Sequence, residues 1–303
     1  MGVATNTLAI CTILISSQLH NAFGYISTSQ STANIVVSLI FCFWAAPLAL
    51  NPIPGHLILF FWWVALFSHF AIACNRLIAV TRPIRYAKIF STRNTKIVLI
   101  FVWAIPFLYS LIYEINGCNF YFNRLTLKWE YSETACGQML STYIDVIICY
   151  MMIISVLTID ITTYILMKRF NSHVRFPVHC PSDSNFTVQK VANNIVVKGA
   201  SYIRRKKEIS FYIQACCSIS VYLVTVIFFY GVEGYIDSPI ISFYMSTFLW
   251  EIVHMIDGSN ERSFPKMPEE RITTYSDKPQ SLTQSRLPSL LNPPLMPAIP
   301  SRI

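Results

Sequence analysis

Ionisable side chains inside apolar runs of this chain are the residues best suited to chemistry, because such groups can relay a proton, pair with another charge or bind a ligand. Glu251, His254 and Asp257 follow one another at intervals of three residues in the last apolar run. This spacing can hold a metal or relay a proton, but a carboxylate metal site also needs ligands from a second helix. We therefore predict a polar seam between helices, formed with His69, and no metal or cofactor.

Arg76 is the first charged residue of the chain and follows Asn75 at the end of another apolar run. Counting back at helical spacing places four residues on the same face as Arg76, namely Trp62, Leu66, His69 and Ala73. This face is predicted to look into a helix bundle. An arginine at a helix end can equally reach out to the membrane surface, and topology alone leaves both roles of Arg76 open.

Two aspartates lie within one long apolar run. Asp145, near its outer end, is expected either to pair with a cationic ligand or to sit at the membrane interface, whereas Asp160 is expected to face a bundle partner. A ligand pocket is predicted among the outer halves of the spans. Candidates by position alone are Trp63, Phe67, Asp145 and Trp250.

Catalytic motifs are missing from the sequence. It contains no GxSxG, HExxH, GxGxxG, P-loop or paired CxxC pattern. The chain is therefore not expected to be an enzyme.

The elements that position these residues are predicted to be membrane helices. Of the 303 residues 54% are hydrophobic and 13% are charged, with a mean hydropathy of +0.48, whereas soluble domains carry roughly 25% charged residues. No Lys, Arg, Asp or Glu precedes Arg76. A soluble globular protein is excluded, and 21 Phe, 16 Tyr and 6 Trp exclude a wholly disordered chain.

Apolar runs divide the chain into seven spans, of which the first is too short to cross a bilayer alone, since a crossing needs about 20 residues. They cover residues 2–16, 31–50, 57–79, 97–113, 139–167, 209–232 and 239–257. The predicted fold is all-α, a seven-transmembrane helix bundle over residues 1–257 with truncated first and seventh helices. Residues 258–303 hold eight of the sixteen prolines and are predicted to be a disordered cytoplasmic tail.

Basic residues set the predicted orientation. Residues 76–96 hold six Lys or Arg and no acidic residue, and residues 168–208 hold nine against two acidic residues. Such loops stay in the cytoplasm, so residues 114–137 and 232–238 face outward. The net charge of +8 follows from this topology, with some attraction to the anionic lipid of the bilayer, and nucleic-acid binding is not expected.

Cysteines are spread along the chain, and six of the nine lie in apolar spans as small buried residues. Only Cys118 and Cys136 fall in the outward loop, on the oxidising side of the membrane. We predict that these two form a disulfide. The alternative is a pair of free thiols.

Several stretches together resemble rhodopsin-type G-protein-coupled receptors and, more narrowly, the nematode chemoreceptors called serpentine receptor class X. The third span ends in Asn75 and Arg76, with Pro83 and Tyr86 following. The other matching stretches are residues 20–25, 29–34, 68–76, 89–91, 118–122 with Trp129 and Cys136, and 250–258.

The resemblance implies that an extracellular small molecule or peptide binds, that the helix bundle shifts, and that a heterotrimeric G protein exchanges its nucleotide. Arg76 matches the family's inner-end arginine, which contacts the G protein and steadies the inactive state, while Asn75 replaces the usual acidic neighbour. Asn6 corresponds to the first helix's asparagine and Trp103 to the fourth helix's tryptophan. The location implied is the plasma membrane of sensory neurons.

Departures from the family pattern leave other readings open. The outer end of the third span, residues 51–56, lacks the usual cysteine, which supports pairing within the outer loop, and the sixth span has no proline. The seventh lacks NPxxY. The alternatives are a non-signalling truncated receptor product, or a transporter or channel whose ion path uses Asp145, Asp160, Glu251 and His254.

Overall fold

The computed structural model describes residues 1–45, 55–123, 125–173, 212–213, 215–232 and 235–262. Its first half contains α1 Gly2–Ile15, a 3-10 turn Ser17–Leu19, α2 Ala22–Ile40 with a π-helical turn Phe41–Ala45, α3 His56–Thr81, α4 Pro83–Ile89, and α5 Thr92–Ser110 with a 3-10 turn Leu111–Glu114. Its second half contains β1 Phe120–Asn123, β2 Lys128–Tyr131, α6 Ala135–Met139, a π-helical turn Leu140–Ile144, α7 Asp145–His173, α8 Ala215–Val232, α9 Pro239–Phe243, a π-helical turn Tyr244–Phe248, and α10 Leu249–Arg262.

These helices form seven spans. In chain order they are α1, α2, α3, α5, α6 with α7, α8, and α9 with α10. Within the described residues, six helical stretches are long and apolar enough to cross a membrane. The first span has only 14 residues. The predicted all-α, multi-pass fold with a short first helix is confirmed.

The second span begins at Ala22, nine residues before its predicted start at residue 31. Asn21 caps the helix, because its side-chain oxygen accepts a hydrogen bond from the backbone N–H of Gly24 at 3.2 Å. The first turns are rich in polar residues, but Ser27 and Gln30 are buried. Hydropathy misses these turns because their polar side chains face the protein rather than lipid.

The seventh span is longer than predicted. The membrane-length helix runs over Pro239–Ser259 and stays helical to Arg262, so it continues past residue 257, where the sequence placed the end of the seventh span and the domain boundary. Residues 263–303, which make up most of the predicted tail, lie outside the described part of the chain. So does most of the second basic loop, residues 174–211.

The third span is central to the bundle, where α3 packs against α2, α5 and α7, while α1 packs against α2 and α10. Trp62, His69 and Arg76 of this span are seven residues apart. Seven residues are close to two helical turns, so these side chains lie on one face, about 10 Å apart along the axis. The third span therefore carries three separate layers of contacts, which we call outer, middle and inner.

An antiparallel hairpin lies at the outer end of the bundle, where the sequence predicted only a loop. Its strands pair Phe120 with Tyr131 and Phe122 with Trp129. Cys118 and Cys136, the two cysteines expected to pair, are joined by a disulfide. The backbone N–H of Gly55 donates to the carbonyl of Phe120 at 2.8 Å, which ties the hairpin to the start of the third span.

Candidate functional site

The inner layer is an ion pair between the third and fifth spans. One guanidinium nitrogen of Arg76, Nη1, lies 3.0 Å from Asp160 Oδ1 and 3.2 Å from Oδ2. The Arg76 side chain is 13% exposed and that of Asp160 is 2% exposed. The guanidinium also lies 6.0 Å from the ring centre of Phe23. Arg76 therefore points into the bundle, and Asp160 faces a bundle partner as predicted.

Asn75 connects the inner end of the third span to the short helix that follows. Its side-chain amide donates to the hydroxyl of Tyr86 in α4 at 3.1 Å. Helix α4 begins with Pro83 at its first position, where proline is well tolerated because the first N–H of a helix has no internal partner. The residue next to Arg76 thus positions part of the first basic loop.

The middle layer is organised around Asp257 of the seventh span. Its carboxylate lies 3.0 Å from His69 Nε2 and 3.1 Å from Gln30 Nε2. It also accepts hydrogen bonds from Tyr222, at 2.7 Å, and from Ser218. We call these five residues the Asp257 cluster; its members are all buried and come from the second, third, sixth and seventh spans.

A second group of buried amides adjoins this cluster and brings in the first span. Asn6 donates to the backbone carbonyl of His254 at 2.9 Å, and Asn34 lies 2.7 Å from the ring nitrogen Nδ1 of His254. The amide of Asn34 also reaches Asn6 at 3.3 Å and Asp257 at 3.4 Å. Five spans therefore meet through side-chain hydrogen bonds at the middle of the bundle.

Glu251 is not part of this seam, contrary to the prediction. It is half-exposed, and its carboxylate meets the thiol of Cys42 at 4.0 Å. Three helical residues advance the direction of a side chain by 300°, so two such steps turn Glu251 about 120° away from Asp257. In the part of the chain that the structure describes, no three His, Cys, Asp or Glu side chains are grouped to hold a metal ion.

The outer layer has two parts, and the first is a group of aromatic rings that we call the indole cluster: Trp62, Trp129, Trp250, Phe41 and Phe229. Trp250 has its ring centre 5.2 Å from that of Trp62, 5.8 Å from Phe41 and 5.9 Å from Phe229. Trp129 of the hairpin reaches Trp250 at 6.4 Å. The hairpin therefore inserts a side chain between the second and seventh spans.

The second part of the outer layer surrounds Asp145 with tyrosine hydroxyls. Tyr113 donates to this carboxylate at 2.8 Å and Tyr131 at 2.6 Å, and Tyr109 donates as well. Burial, together with Tyr230 and Asp145 nearby, raises the pKa of the Tyr131 phenol well above its ordinary value, so this hydroxyl remains a donor. We call the aspartate and its three tyrosines the tyrosine cluster.

Asp145 is 1% exposed, so its carboxyl group faces the protein interior and not the lipid headgroups or water. It also differs from the other buried carboxylates, because Asp160 pairs with Arg76 and Asp257 with His69. No ion pair of Asp145 occurs among the described residues. Its carboxyl group instead accepts hydrogen bonds from tyrosine hydroxyls.

The sequence matches the family described as "Serpentine type 7TM GPCR chemoreceptor Srx" over residues 1–176 and 184–259. The chain belongs to this family. The match includes every described span, and with it the inner, middle and outer layers. The family is one of receptors, and its multi-pass architecture agrees with the six membrane-length helices.

Two Srx relatives from Caenorhabditis elegans illustrate the likeness. The chain is 22% identical to "Serpentine receptor class X 45" over 312 aligned residues, which cover 95% of this chain and 82% of the relative. It is 25% identical to "Serpentine receptor class X-43" over 167 residues, which cover 52% of each chain. Much of the sequence thus differs between members that share the family pattern.

The four candidate ligand residues of this Srx receptor do not lie together. Trp63 packs edge-on against Tyr109, at 5.5 Å between ring centres, and so borders the tyrosine cluster with Asp145. Trp250 belongs to the indole cluster. Phe67, one turn further in than Trp63, is half-buried and packs against two groups of buried apolar side chains, one that includes Trp62 and one that includes Val64.

Several site residues of the receptor were missed by sequence reasoning. These are the ones whose role depends on a partner from a distant part of the chain: Gln30, Tyr109, Tyr113, Trp129, Tyr131, Ser218 and Tyr222. The alternation of aromatic and polar residues in β2 is a signal that could have marked Trp129 and Tyr131 as a pair on one face. Tyrosines in apolar runs offer no comparable signal.

Proposed function

We propose that this Srx receptor binds an extracellular compound among the outer halves of its spans and activates a heterotrimeric G protein at its inner face, in the plasma membrane of sensory neurons. The observation that carries the coupling role is the buried pair of Arg76 and Asp160. An arginine held by a carboxylate on a neighbouring span is available to a G protein only after the pair opens. Asn75 acts beside it, because it orients the α4 segment of the same inner surface.

A population shift connects the two ends of the receptor. Trp62, His69 and Arg76 share one face of the third span, and each contacts a different neighbour: Trp250, Asp257 and Asp160. A ligand that binds one arrangement of the outer layer more tightly favours that arrangement of the whole span. The hydrogen bonds of the seam formed by His69, His254 and Asp257 have one arrangement in the inactive state and another in the active state, and in this way they couple the outer layer to the inner layer.

Ligand contacts are assigned to Trp63, Phe67, Asp145 and Trp250, with the hairpin above them as the cover of the pocket. Trp250 has the strongest support, because it contacts both the hairpin and the third span. Asp145 is the centre of the tyrosine cluster and Trp63 borders it, so these two residues supply a polar part of the outer layer that is separate from Trp250. Phe67 lies at the inner limit of the pocket.

Ligand-independent nucleotide exchange tests the coupling role. Membranes from cells that express the full chain with a heterotrimeric G protein are assayed for binding of a non-hydrolysable GTP analogue. Arg76→Ala is expected to abolish the receptor-dependent part of the exchange, because the contact with the G protein is lost. Asp160→Asn is expected to raise basal exchange about fivefold or more, the effect of weakening the inactive state by about 1 kcal/mol.

Arg93→Ala is the matched control, since Arg93 is an exposed basic residue of the same inner segment and its loss removes one positive charge without opening the pair. Surface expression is measured for all variants by an epitope tag. Equal exchange by Arg76→Ala and the wild-type receptor would contradict the coupling role. A fall rather than a rise with Asp160→Asn would contradict the inactive-state role of the pair.

A further inference from the structure

Two indole N–H groups of the indole cluster have no hydrogen-bond partner among the described residues. They belong to Trp129 of the hairpin and Trp250 of the seventh span. The hydroxyl of Thr247, one turn before Trp250, also has no hydrogen-bond partner among the described residues. Trp129 is 4% exposed and Trp250 is 5% exposed, so bulk water does not reach them. The outer layer therefore contains buried donors that lack an acceptor.

Other buried atoms of the bundle also lack a partner among the described residues, including the indole N–H of Trp63 and side-chain atoms of Ser27, Ser38 and His254, whereas many buried donors are paired. Trp103 in the fourth span donates its indole N–H to the hydroxyl of Ser29 at 2.7 Å, and the hydroxyls of the tyrosine cluster all donate to Asp145. Folded proteins pair the large majority of buried polar atoms, because leaving a donor unpaired in an apolar site costs free energy. An N–H that faces an aromatic ring gains only a weak contact.

The location of the two donors points to a ligand rather than to folding. Trp129 and Trp250 lie in segments far apart in sequence, and their rings meet at 6.4 Å between centres beneath the hairpin. The surrounding rings of Trp62, Phe41 and Phe229 are apolar. An acceptor atom placed here would have to be carried by a molecule that is otherwise apolar.

The charges nearby indicate which acceptor fits. The faces of the rings can attract a cation, but an ammonium ion only donates hydrogen bonds and would leave both indole N–H groups without an acceptor. The carboxylate of Asp145 lies in the adjacent tyrosine cluster, and the two outward loops hold five acidic residues against two basic ones, which repel an anion. The ligand atom must therefore accept hydrogen bonds and must not be negatively charged. A neutral carbonyl oxygen meets both conditions.

We propose that the indole cluster binds a neutral, largely apolar compound, such as a ketone or ester, whose carbonyl oxygen accepts hydrogen bonds from the indole N–H groups of Trp129 and Trp250. This inference rests on the proposed receptor function, of which it names the ligand class. The hydrocarbon part of the ligand packs against the rings of Trp62, Phe41 and Phe229.

Three probes with one carbon skeleton test the inference by direct binding to the purified full chain, with thermal stabilisation as the readout: 4-phenyl-2-butanone, butylbenzene and 4-phenylbutan-2-amine. The ketone is expected to bind about tenfold more tightly than the hydrocarbon, a ratio typical of one or two added hydrogen bonds. The amine is expected to bind no better than the hydrocarbon.

Replacement of indole by phenyl removes the donor and keeps a ring. Trp250→Phe and Trp129→Phe are each expected to reduce the preference for the ketone over butylbenzene about fivefold or more, and to leave the melting temperature of the free receptor unchanged or higher. Trp103→Phe is the matched control. It loses a hydrogen bond that is present, so it is expected to melt at a lower temperature and to keep the full preference for the ketone.

Four outcomes would overturn the inference. They are equal binding of ketone and hydrocarbon, equal or tighter binding of the amine, no binding of any of the three probes, and a fall in stability of Trp250→Phe as large as that of Trp103→Phe, which would mean that its N–H already has a partner. These measurements need no G protein. If nucleotide exchange depends on Arg76 but the ketone does not bind, the receptor role is retained and the ligand class is wrong. If the ketone binds but exchange does not depend on Arg76, the ligand class is retained and the coupling role is wrong.

Discussion

Replacement of Asp257 by alanine removes the acceptor at the centre of the middle layer. Four side chains would lose their contact with this carboxylate at once: Gln30, His69, Ser218 and Tyr222. Asp257 is 1% exposed, so water cannot readily replace the carboxylate. The groups that face the carboxylate would then stay buried without it, although Gln30 and His69 would still contact each other at 2.8 Å.

The size of the effect follows from this geometry. Each hydrogen bond to a charged group is worth about 1.5–3 kcal/mol, but four donors that share one carboxylate do not act independently. Removal of one partner of a buried pair costs about 3–5 kcal/mol, which we take as the expected loss for Asp257→Ala. For a chain of this size this loss corresponds to a fall of about 6–20 °C in melting temperature.

Asp257→Asn is expected to cost about half as much, since an amide oxygen can still accept from Gln30 and Tyr222. The assay is thermal unfolding of the full chain purified in detergent, followed by tryptophan fluorescence. Glu251→Ala is the control, because it removes a half-exposed carboxylate six residues away on the same span, and a change of less than about 0.5 kcal/mol is expected. A loss for Asp257→Ala no larger than that for Glu251→Ala would refute the role of the cluster.

Two further predictions concern the packing of helices and the outer hairpin. Gly258→Ala places a methyl group 2.7 Å from the backbone nitrogen of Asn6 and should lower the free energy of unfolding, measured by melting experiments, by about 1–3 kcal/mol. Gly231→Ala is the control and should be tolerated, because nothing lies within 4 Å of the added carbon. Equal effects of the two substitutions would argue against close packing of the first and seventh spans. Cys118→Ser removes the disulfide to Cys136 and should destabilise the receptor by about 3 kcal/mol. It should also speed the cleavage of the hairpin by added protease. An unchanged rate of cleavage would mean that the hairpin does not need the disulfide.

Sequence reasoning was most successful where one segment carries its own signal. The low charge and the apolar runs predicted a multi-pass helical membrane protein, because a span satisfies its backbone internally and its length follows from bilayer thickness. The helical face shared by His69 and Arg76 was also predicted from spacing alone. The helix over residues 22–30 was not predicted from hydropathy, since the polar side chains of these residues are buried against other spans rather than exposed to lipid.

Partners across the bundle could not be predicted in the same way. His69 was assigned to a polar seam, but nothing in one sequence indicated that Gln30, Ser218 and Tyr222 would converge on Asp257. Glu251 was placed in that seam because its three-residue spacing suggested a shared face, and the rotation of the helix turned it away. Contacts between distant segments depend on how the helices pack, which is a property of the whole chain.

The sequence by itself determined that this chain crosses a membrane, which loops carry the positive charge, and that it resembles the Srx receptors. These features are local, since they follow from the polarity and length of single segments. Only the tertiary structure decided that Arg76 pairs with Asp160, that Asp145 meets tyrosine hydroxyls, and that the rings of Trp129 and Trp250 meet at the hairpin. The physical reason is that a buried polar group must find its partner in space, and that partner lies on another span.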